Sequence, residues 1–485
     1  MRCSLVCALF SITLASFGVI LYFTSKHVFV VLLGMSSHLT NNSAIYDQWV
    51  KPTEVNLSLR FYFWNVTNPD EISQGGKPIV KEVGPFVYTE VQEKWNISYS
   101  EHQDLVTYKN NRTYYFDRNA SVADHEISLT LLNLPFWIVG LSSAAMLKDI
   151  QKSFPNIVTP FYSVSPKNIT WGSTDPIMYV LNSLTGGLVS SEFGLYLGQN
   201  YSFDGVYEIA TGVGETGRGI IKTWNGNSSV DLWSTKYANE INGTDGEIYP
   251  INVPISQPLL VFNSDICRSI ALEFDHFQYF MGLNVASFNL PYSALANNSD
   301  NAGFCTPTVT NCLPGGLLNV TLCRIKPYEN AYLPIRASII MSQPHFLYNK
   351  ELAQEFNMKP IAEKHGTFVD IHPDSGIIVN ASKRAQISSY IDSKDLSSIL
   401  PENFTLKTFF PVFWNEEIAI SSPEMIKELK MAAVYPLIIL KLAAAIFISF
   451  GLILACISIL IYFFNGSTIV AEDVEPLIVD RHIES

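Results

Sequence analysis

The chain has 485 residues, 31 Lys and Arg against 44 Asp and Glu, and a formal net charge of −13. With 48% hydrophobic and 13% aromatic residues it is too apolar for a disordered chain, and its acidic balance excludes a nucleic-acid surface, which needs a basic face. Its length allows one large domain or two ordinary ones.

The first element is an uncharged apolar run, Ser4–Phe23, long enough for a bilayer-spanning helix. It exceeds the core of a signal peptide, and no small-x-small cleavage site follows it. An uncleaved signal-anchor is therefore expected, with residues 1–3 in the cytosol and residues 4–23 in the membrane. In residues 24–441, short stretches rich in Val, Ile, Tyr, Phe and Thr alternate with Gly, Pro and Asn turns. Leu57–Asn65, Pro78–Thr89, Gly205–Ile209, Gly219–Trp224, Thr367–Ile371 and Gly376–Asn380 predict strands of a mostly β, antiparallel domain. Helical periodicity marks Leu141–Phe154 and Ser422–Leu437. The second leads into another uncharged run, Leu442–Phe463, which Lys441 can flank by snorkelling. Residues 464–485 would form a short cytosolic tail.

Flanking charges do not fix the sidedness, since Arg2 and Lys26 lie on opposite flanks of the first run. Glycosylation sequons do. They fall at Asn41, Asn56, Asn65, Asn96, Asn111, Asn119, Asn168, Asn200, Asn227, Asn242, Asn297, Asn319, Asn380 and Asn403, all in the middle segment, which reads as lumenal or extracellular. The sequon at Asn465 would face the cytosol and stay silent. Cysteine usage agrees. Cys3, Cys7 and Cys456 lie in or beside the apolar runs, while Cys267, Cys305, Cys312 and Cys323 form an even set on the oxidising side. Two disulfides are expected, and the tight CxxC pairs of a zinc site are missing.

No motif points to catalysis, a metal or a cofactor. Gly212–Gly217 matches GxGxxG, but the residues after it, Arg218 to Trp224, read as a strand where a dinucleotide site needs a helix. A hairpin loop is expected. GxSxG, P-loop and HExxH patterns are absent from the sequence.

The run Tyr62-Phe63-Trp64-Asn65-Val66-Thr67-Asn68-Pro69, followed by Lys77-Pro78 and Glu82-Val83-Gly84-Pro85-Phe86-Val87-Tyr88, resembles the class B scavenger receptor family, also called the fatty-acid translocase family. The likeness continues through Trp171-Gly172 with Asp175-Pro176, Asp204-Gly205-Val206-Tyr207, Trp224-Asn225-Gly226 and Ile241-Asn242-Gly243-Thr244-Asp245. It runs on through Ser264-Asp265-Ile266-Cys267-Arg268-Ser269, Pro344-His345-Phe346-Leu347-Tyr348, Ala381-Ser382-Lys383-Arg384 and Pro411-Val412-Phe413-Trp414. The matches keep their order over nearly the whole chain.

The resemblance implies a barrel-like β domain with a small apical helical bundle and an internal apolar tunnel, between two membrane anchors. It implies lipid ligands (sterol, phospholipid or fatty acid) passed along the tunnel towards the bilayer. It also implies the pairs Cys267–Cys323 and Cys305–Cys312. Tyr237 and Gly303 stand where many members carry a third pair, a pattern similar to that of the family's lysosomal member. The tail segment Glu472-Asp473-Val474-Glu475-Pro476-Leu477-Ile478 matches an acidic dileucine signal, in which Asp473, Leu477 and Ile478 would engage clathrin adaptors and direct the protein to endosomes and lysosomes. Two alternatives stay open: a sorting receptor that delivers a soluble lysosomal hydrolase, and a plasma-membrane scavenger receptor for lipoprotein or apoptotic-cell ligands. Lys148 and Lys152, on the helix where the resemblance puts the ligand-binding bundle, are candidates to hold an anionic headgroup. His125 and His276 are candidate protonation switches.

Overall fold

A computed structural model describes residues 2–41, 43, 45–214, 216–325 and 338–472. The chain divides into two compact units, one built from its two ends and one from Ser36–Ile426. It opens with α1 (Arg2–Ser36), a helix that continues well past the predicted apolar run.

The central unit is a 13-stranded sheet. Its strands, in chain order, are β1 (Val55–Val66), β2 (Val80–Tyr99), β3 (Leu105–Asp117), β4 (Val206–Ala210), β5 (Ile221–Trp224), β6 (Leu259–Asn263) and β7 (Arg268–Phe280). They continue as β8 (Leu283–Asn289), β9 (Leu317–Asn319), β10 (Ile339–Ser342), β11 (Phe368–His372), β12 (Ile377–Asp392) and β13 (Lys407–Ser421). The hydrogen-bonded order is β6-β7-β8-β11-β12-β13-β1-β2-β3-β4-β5, with β9 on β10 and β10 on β12. Every ladder is antiparallel. All six predicted strands lie in this sheet. The GxGxxG segment joins antiparallel β4 and β5, as a hairpin connection does.

The two edge strands, β5 and β6, are stitched together by Gly243 and Thr244. Ile221 N donates to Gly243 O (2.9 Å), Thr244 N to Leu260 O (3.1 Å) and Phe262 N to Thr244 O (2.8 Å). This joins the two ends of the main strand order into a barrel and covers those two edges. A side chain at Gly243 would put a Cβ 2.0 Å from Leu260 O, and its φ of +92° is left-handed, so the close approach depends on glycine there.

Alternation along the strands sets the interior. Leu59, Phe61 and Phe63 of β1 point inward with Phe413 of β13, each burial stabilising by about 1.5–3 kcal/mol. A second cluster gathers Val106, Tyr108, Tyr207, Phe262 and Phe288. A helical layer covers the first cluster. It consists of α2 (Leu134–Ser142), α3 (Ala144–Ser153) and α4 (Pro176–Leu184). Asn133 caps α2, its Oδ1 accepting from Phe136 N at 3.2 Å, and Pro135 occupies the first turn. The predicted helix over Leu141–Phe154 is broken at Ser143. Its extended backbone ends α2, and its Oγ caps α3 by accepting from Met146 N at 3.3 Å.

The chain then runs through α5 (Pro423–Ala433) into α6 (Tyr435–Glu472). Within the unit built from the chain ends, α1 and α6 meet through small residues. A Cβ on Gly18 would lie 2.8 Å from Ile448 and 2.9 Å from Ala444 O, and one on Gly451 would lie 2.7 Å from Ala15 N. Phe17 packs edge-on against Phe447 at 5.4 Å. Such close backbone approach is how helices associate in lipid, where apolar burial gives no drive. Two helical stretches, Val6–Ser36 and Pro423–Phe463, are long and apolar enough to cross a membrane.

Candidate functional site

A cavity of about 640 Å³ lies inside the barrel, under the helical layer. Leu59, Leu134, Ile138, Met178, Val412 and Phe413 supply its apolar walls. Its volume suits a small-molecule or lipid-chain site, for which about 300–1,000 Å³ is usual. Its other end is charged, with Arg112, Asp204, Asp265 and Glu417 all lining it.

That end follows from strand register. The inward positions of β2 change from Phe86 and Tyr88 to Glu90, Gln92 and Lys94, and their neighbours on β3 are Tyr114, Arg112 and Asn110. A polar belt therefore crosses the interior between the two apolar clusters. Arg112 lies 3.9 Å from both Glu90 and Asp204 and 3.8 Å from Glu417. Lys383 of β12 pairs with Asp265 at 2.7 Å and with Glu417 at 2.9 Å. Further along, Gln92 Nε2 donates to Glu90 (2.7 Å), and Asn110 Nδ2 donates to Gln92 (3.1 Å) and to Glu247 (2.6 Å). Glu247 pairs with Lys94, and Tyr108 donates its hydroxyl proton to Asp245.

Burial, then the Glu417 charge, push the Glu90 carboxyl up to about 7. Burial and Glu247 push Asp245 up to about 6. Glu417 is also buried, but Lys383 and Arg112 hold it below the ordinary glutamate range. The Lys383 ammonium is held well above its usual value by Asp265 and Glu417, against the cost of burial. The belt is thus a set of fixed charges with two acids that take up protons near neutrality.

The signature motifs converge at a second place. His345 stacks on His365 at 3.9 Å and meets Trp64 edge-on at 5.0 Å. Its Nε2 lies 2.7 Å from Glu82, which also accepts from Trp414 Nε1 at 2.8 Å. Burial, then His345, depress His365 to about 4, and its Nδ1 accepts from Ile361 N at 2.9 Å. Pairing of β1 with β2 and β13 brings Trp64, Glu82 and Trp414 together, and His345, far from them in sequence, is held there by its backbone N–H, which donates to Gln386 of β12 at 3.0 Å.

The cysteine pairs stand at bonding distance: 2.04 Å for Cys267 and Cys323, 2.07 Å for Cys305 and Cys312. The first pair lines the cavity. Lys148 and Lys152 sit on the exposed face of α3 and are not among the cavity's lining residues; Lys152 pairs with Asp149 at 2.7 Å. His125 stacks on Phe116 at 3.7 Å and shares a 2.9 Å hydrogen bond with Tyr88, and burial lowers its pKa. His276 is on the surface, 2.9 Å from Asp275. Among the sequons, Asn41, Asn56, Asn96, Asn119, Asn227, Asn297 and Asn403 are exposed, whereas Asn111 is only 7% exposed. Asn65, Asn168, Asn200, Asn242, Asn319 and Asn380 are half-buried. Asp473, Leu477 and Ile478 lie outside the described residues.

The sequence profile of the CD36 family matches residues 6–462. The chain belongs to the CD36 family. It is 35% identical over 431 residues to lysosome membrane protein 2 of Homo sapiens, covering 86% of this chain and 87% of that one. The Rattus norvegicus protein of the same name is 34% identical over 431 residues, with the same coverage. Scavenger receptor class B member 1 of Mus musculus is 30% identical over 394 residues, covering 78% of this chain and 73% of that one. The family membership and the two membrane-length helices together describe a class B scavenger receptor-like membrane protein. The sequence had marked the family motifs. It had not marked Glu90, Arg112 or Asn110, whose inward direction depends on strand register.

Proposed function

We propose that this CD36-family protein binds lipids in the barrel cavity and passes them towards the bilayer, without chemistry on the lipid. The cavity carries this reading: about 640 Å³ of space with apolar walls and one charged end. A lipid chain in water costs about 0.8 kcal/mol per exposed methylene, so a covered apolar space lowers the barrier to transfer. The charged end gives an amphiphile a direction, with its tail among Leu134, Ile138 and Val412 and its head at Arg112 and Glu417. The residues between the two runs face the lumen, and the similarity to lysosome membrane protein 2 supports the lysosomal or endosomal membrane as the location, with Asp473, Leu477 and Ile478 as the sorting signal.

The decisive test fills the cavity. Ile138 is half-buried on the otherwise largely buried α2 and lines the space, so Ile138→Trp projects bulk into it. Full-length protein in nanodiscs would be exposed to photoactivatable sterol, phospholipid and fatty acid. The variant should capture at least about fivefold less than the wild type for the true ligand, as expected when a well-formed pocket is lost. Unchanged capture of all three would refute the proposal. Location is tested separately, by comparing wild type with the Leu477→Ala, Ile478→Ala double variant. A shift of the variant to the cell surface supports the sorting signal, and an unchanged distribution rejects it.

A further inference from the structure

We propose that the hairpin between β7 and β8 is a lipid-contacting tip, which enters the interfacial layer of a phospholipid bilayer. At this tip the usual placement of side chains is reversed. Tyr279 is 79% exposed, and Phe277 and Met281 are each 48% exposed. These large apolar side chains occupy one short hairpin, where a water-facing turn would carry polar groups.

Topology fixes which end of the barrel the tip belongs to. Phe277 pairs with Ala286, Ala286 with Ile371, and Ile371 with Ile378. The tip, closed by Phe280 and Leu283, lies beyond that line, at the end where His372 and Ile377 close the turn from β11 to β12. Both ends of the central unit leave from here. Arg218 joins the turn to the first of them: its guanidinium donates to Ser375 O, to Tyr249 O (3.0 Å) and to Ser37 O (2.9 Å). At the other end, Ser421 closes the first pair of β1 with Val55, Ile420 pairs with Asn380, and Ser422 N donates to Glu54 O at 2.8 Å. Ser37 follows α1 directly and Ser422 precedes α5, so at both points the chain passes into a membrane-length helical stretch.

A second exposed apolar group shares this end. The loop carrying Ile255, which is 42% exposed, docks on the same turn: Asn252 N donates to Asp374 O (3.0 Å) and Val253 N to Pro373 O (2.8 Å). The lipid class follows from composition. Residues 274–289 contain no Lys or Arg, so nothing in the hairpin attracts an anionic headgroup. Tyr and Phe side chains favour the neutral interface between headgroups and chains, where an aromatic ring is buried and a hydroxyl stays wet. The occupant is therefore the surface of a zwitterionic bilayer. This inference does not depend on the cavity being a conduit.

Photocrosslinking of the full-length chain in phosphatidylcholine nanodiscs tests it. Tyr279→p-benzoylphenylalanine places the probe at the tip. Tyr237→p-benzoylphenylalanine is the reference, because Tyr237 is 71% exposed beside the opposite end of β7, where Ser269 Oγ donates to Glu240 O. Irradiation should give a one-phospholipid mass adduct at position 279 that exceeds the yield at 237 by about tenfold, as expected for a group in the interface against one in water. Equal yields at the two positions, or no adduct at 279, overturn the proposal. A covalent pair of chains at 279 also overturns it, since the tip would then be an interface between copies. If the Tyr279 variant does not elute as the wild type does, Phe277→p-benzoylphenylalanine carries the same reading.

Discussion

The two apolar clusters of the barrel are made from the same residue types, yet they contribute unequally to the cavity wall. The cluster around Phe61 and Phe413 supplies Leu59, Leu134, Val412 and Phe413 to the wall and is covered by helices α2, α3 and α4. The cluster around Tyr108, Phe262 and Phe288 lies where Gly243 and Thr244 close the barrel, and it reaches the cavity through Val230 and the Cys267–Cys323 bond. The polar belt divides them. The difference shows that hydrophobicity alone does not decide where a protein is empty. Closure and the Cys267–Cys323 cross-link fix one part of the wall, against which the first cluster leaves space without collapsing.

If closure is what separates the halves, breaking it should have the largest effect. Gly243→Val would press a Cβ into Leu260 O, 2.0 Å away, from a left-handed backbone. A loss of about 5 kcal/mol is expected, at the extreme of single substitutions. It would be measured as failure to leave the endoplasmic reticulum, or as collapse of the thermal transition. The disulfide comes next. Cys267→Ala with Cys323→Ala opens a link across 56 residues and should cost about 4 kcal/mol on a chain-entropy estimate. The pair Cys305 and Cys312 spans only 7, so its removal should cost about 2.5 kcal/mol. Equal losses in denaturant titrations of the two double variants would break the link between closure and the longer bond.

The sequence was a good guide to one half of this contrast and a poor guide to the other. Strands such as Leu57–Asn65 carry apolar residues on the inward positions, so alternation finds them. On β2 the prediction stops at Thr89, although the strand continues to Tyr99. Beyond that point the alternation is inverted: Glu90, Gln92 and Lys94 face inward, while Val91 and Trp95 are 39% and 51% exposed. Only the pairing with Tyr114, Arg112 and Asn110 explains why charge is tolerated there. Sequons were legible as a set but not one by one, because the burial of Asn111 depends on the same long-range pairing. The His345 and Glu82 contact was hidden for the same reason, with its members in separate motifs.

The belt can be probed through pH. Glu90 titrates near 7 in the folded protein because burial, then Glu417, disfavour its charge. A buried acid with a raised pKa binds its proton more tightly when folded than when unfolded, so stability falls as pH rises from the ordinary glutamate range to about 7. The penalty at neutral pH is about 3 kcal/mol. Asp245, raised to about 6, acts in the same direction. Glu417 acts oppositely, since its depressed pKa contributes stability that is lost only in stronger acid. Glu90→Gln should therefore stabilise the protein at pH 7.4 relative to pH 5, compared with the wild type. Parallel pH dependence of the melting temperatures of the two proteins across that interval would show that Glu90 does not titrate there.

The smallest effect is expected on the helical roof. Lys152 stands on α3 with its side chain 68% exposed, paired with Asp149 of the same helix. Such a pair is screened by water and holds little energy, so Lys152→Glu should change stability by less than about 0.5 kcal/mol. More usefully, it separates two places where a lipid could be held. If the cavity is the site, with Arg112 and Glu417 at its polar end, reversing a charge on the outer face of α3 leaves photoactivatable lipid capture unchanged while Ile138→Trp reduces it. If capture falls in the Lys152 variant and not in the Ile138 variant, the outer face of the helical layer holds the headgroup. The cavity would then be a consequence of how the two clusters pack rather than a site.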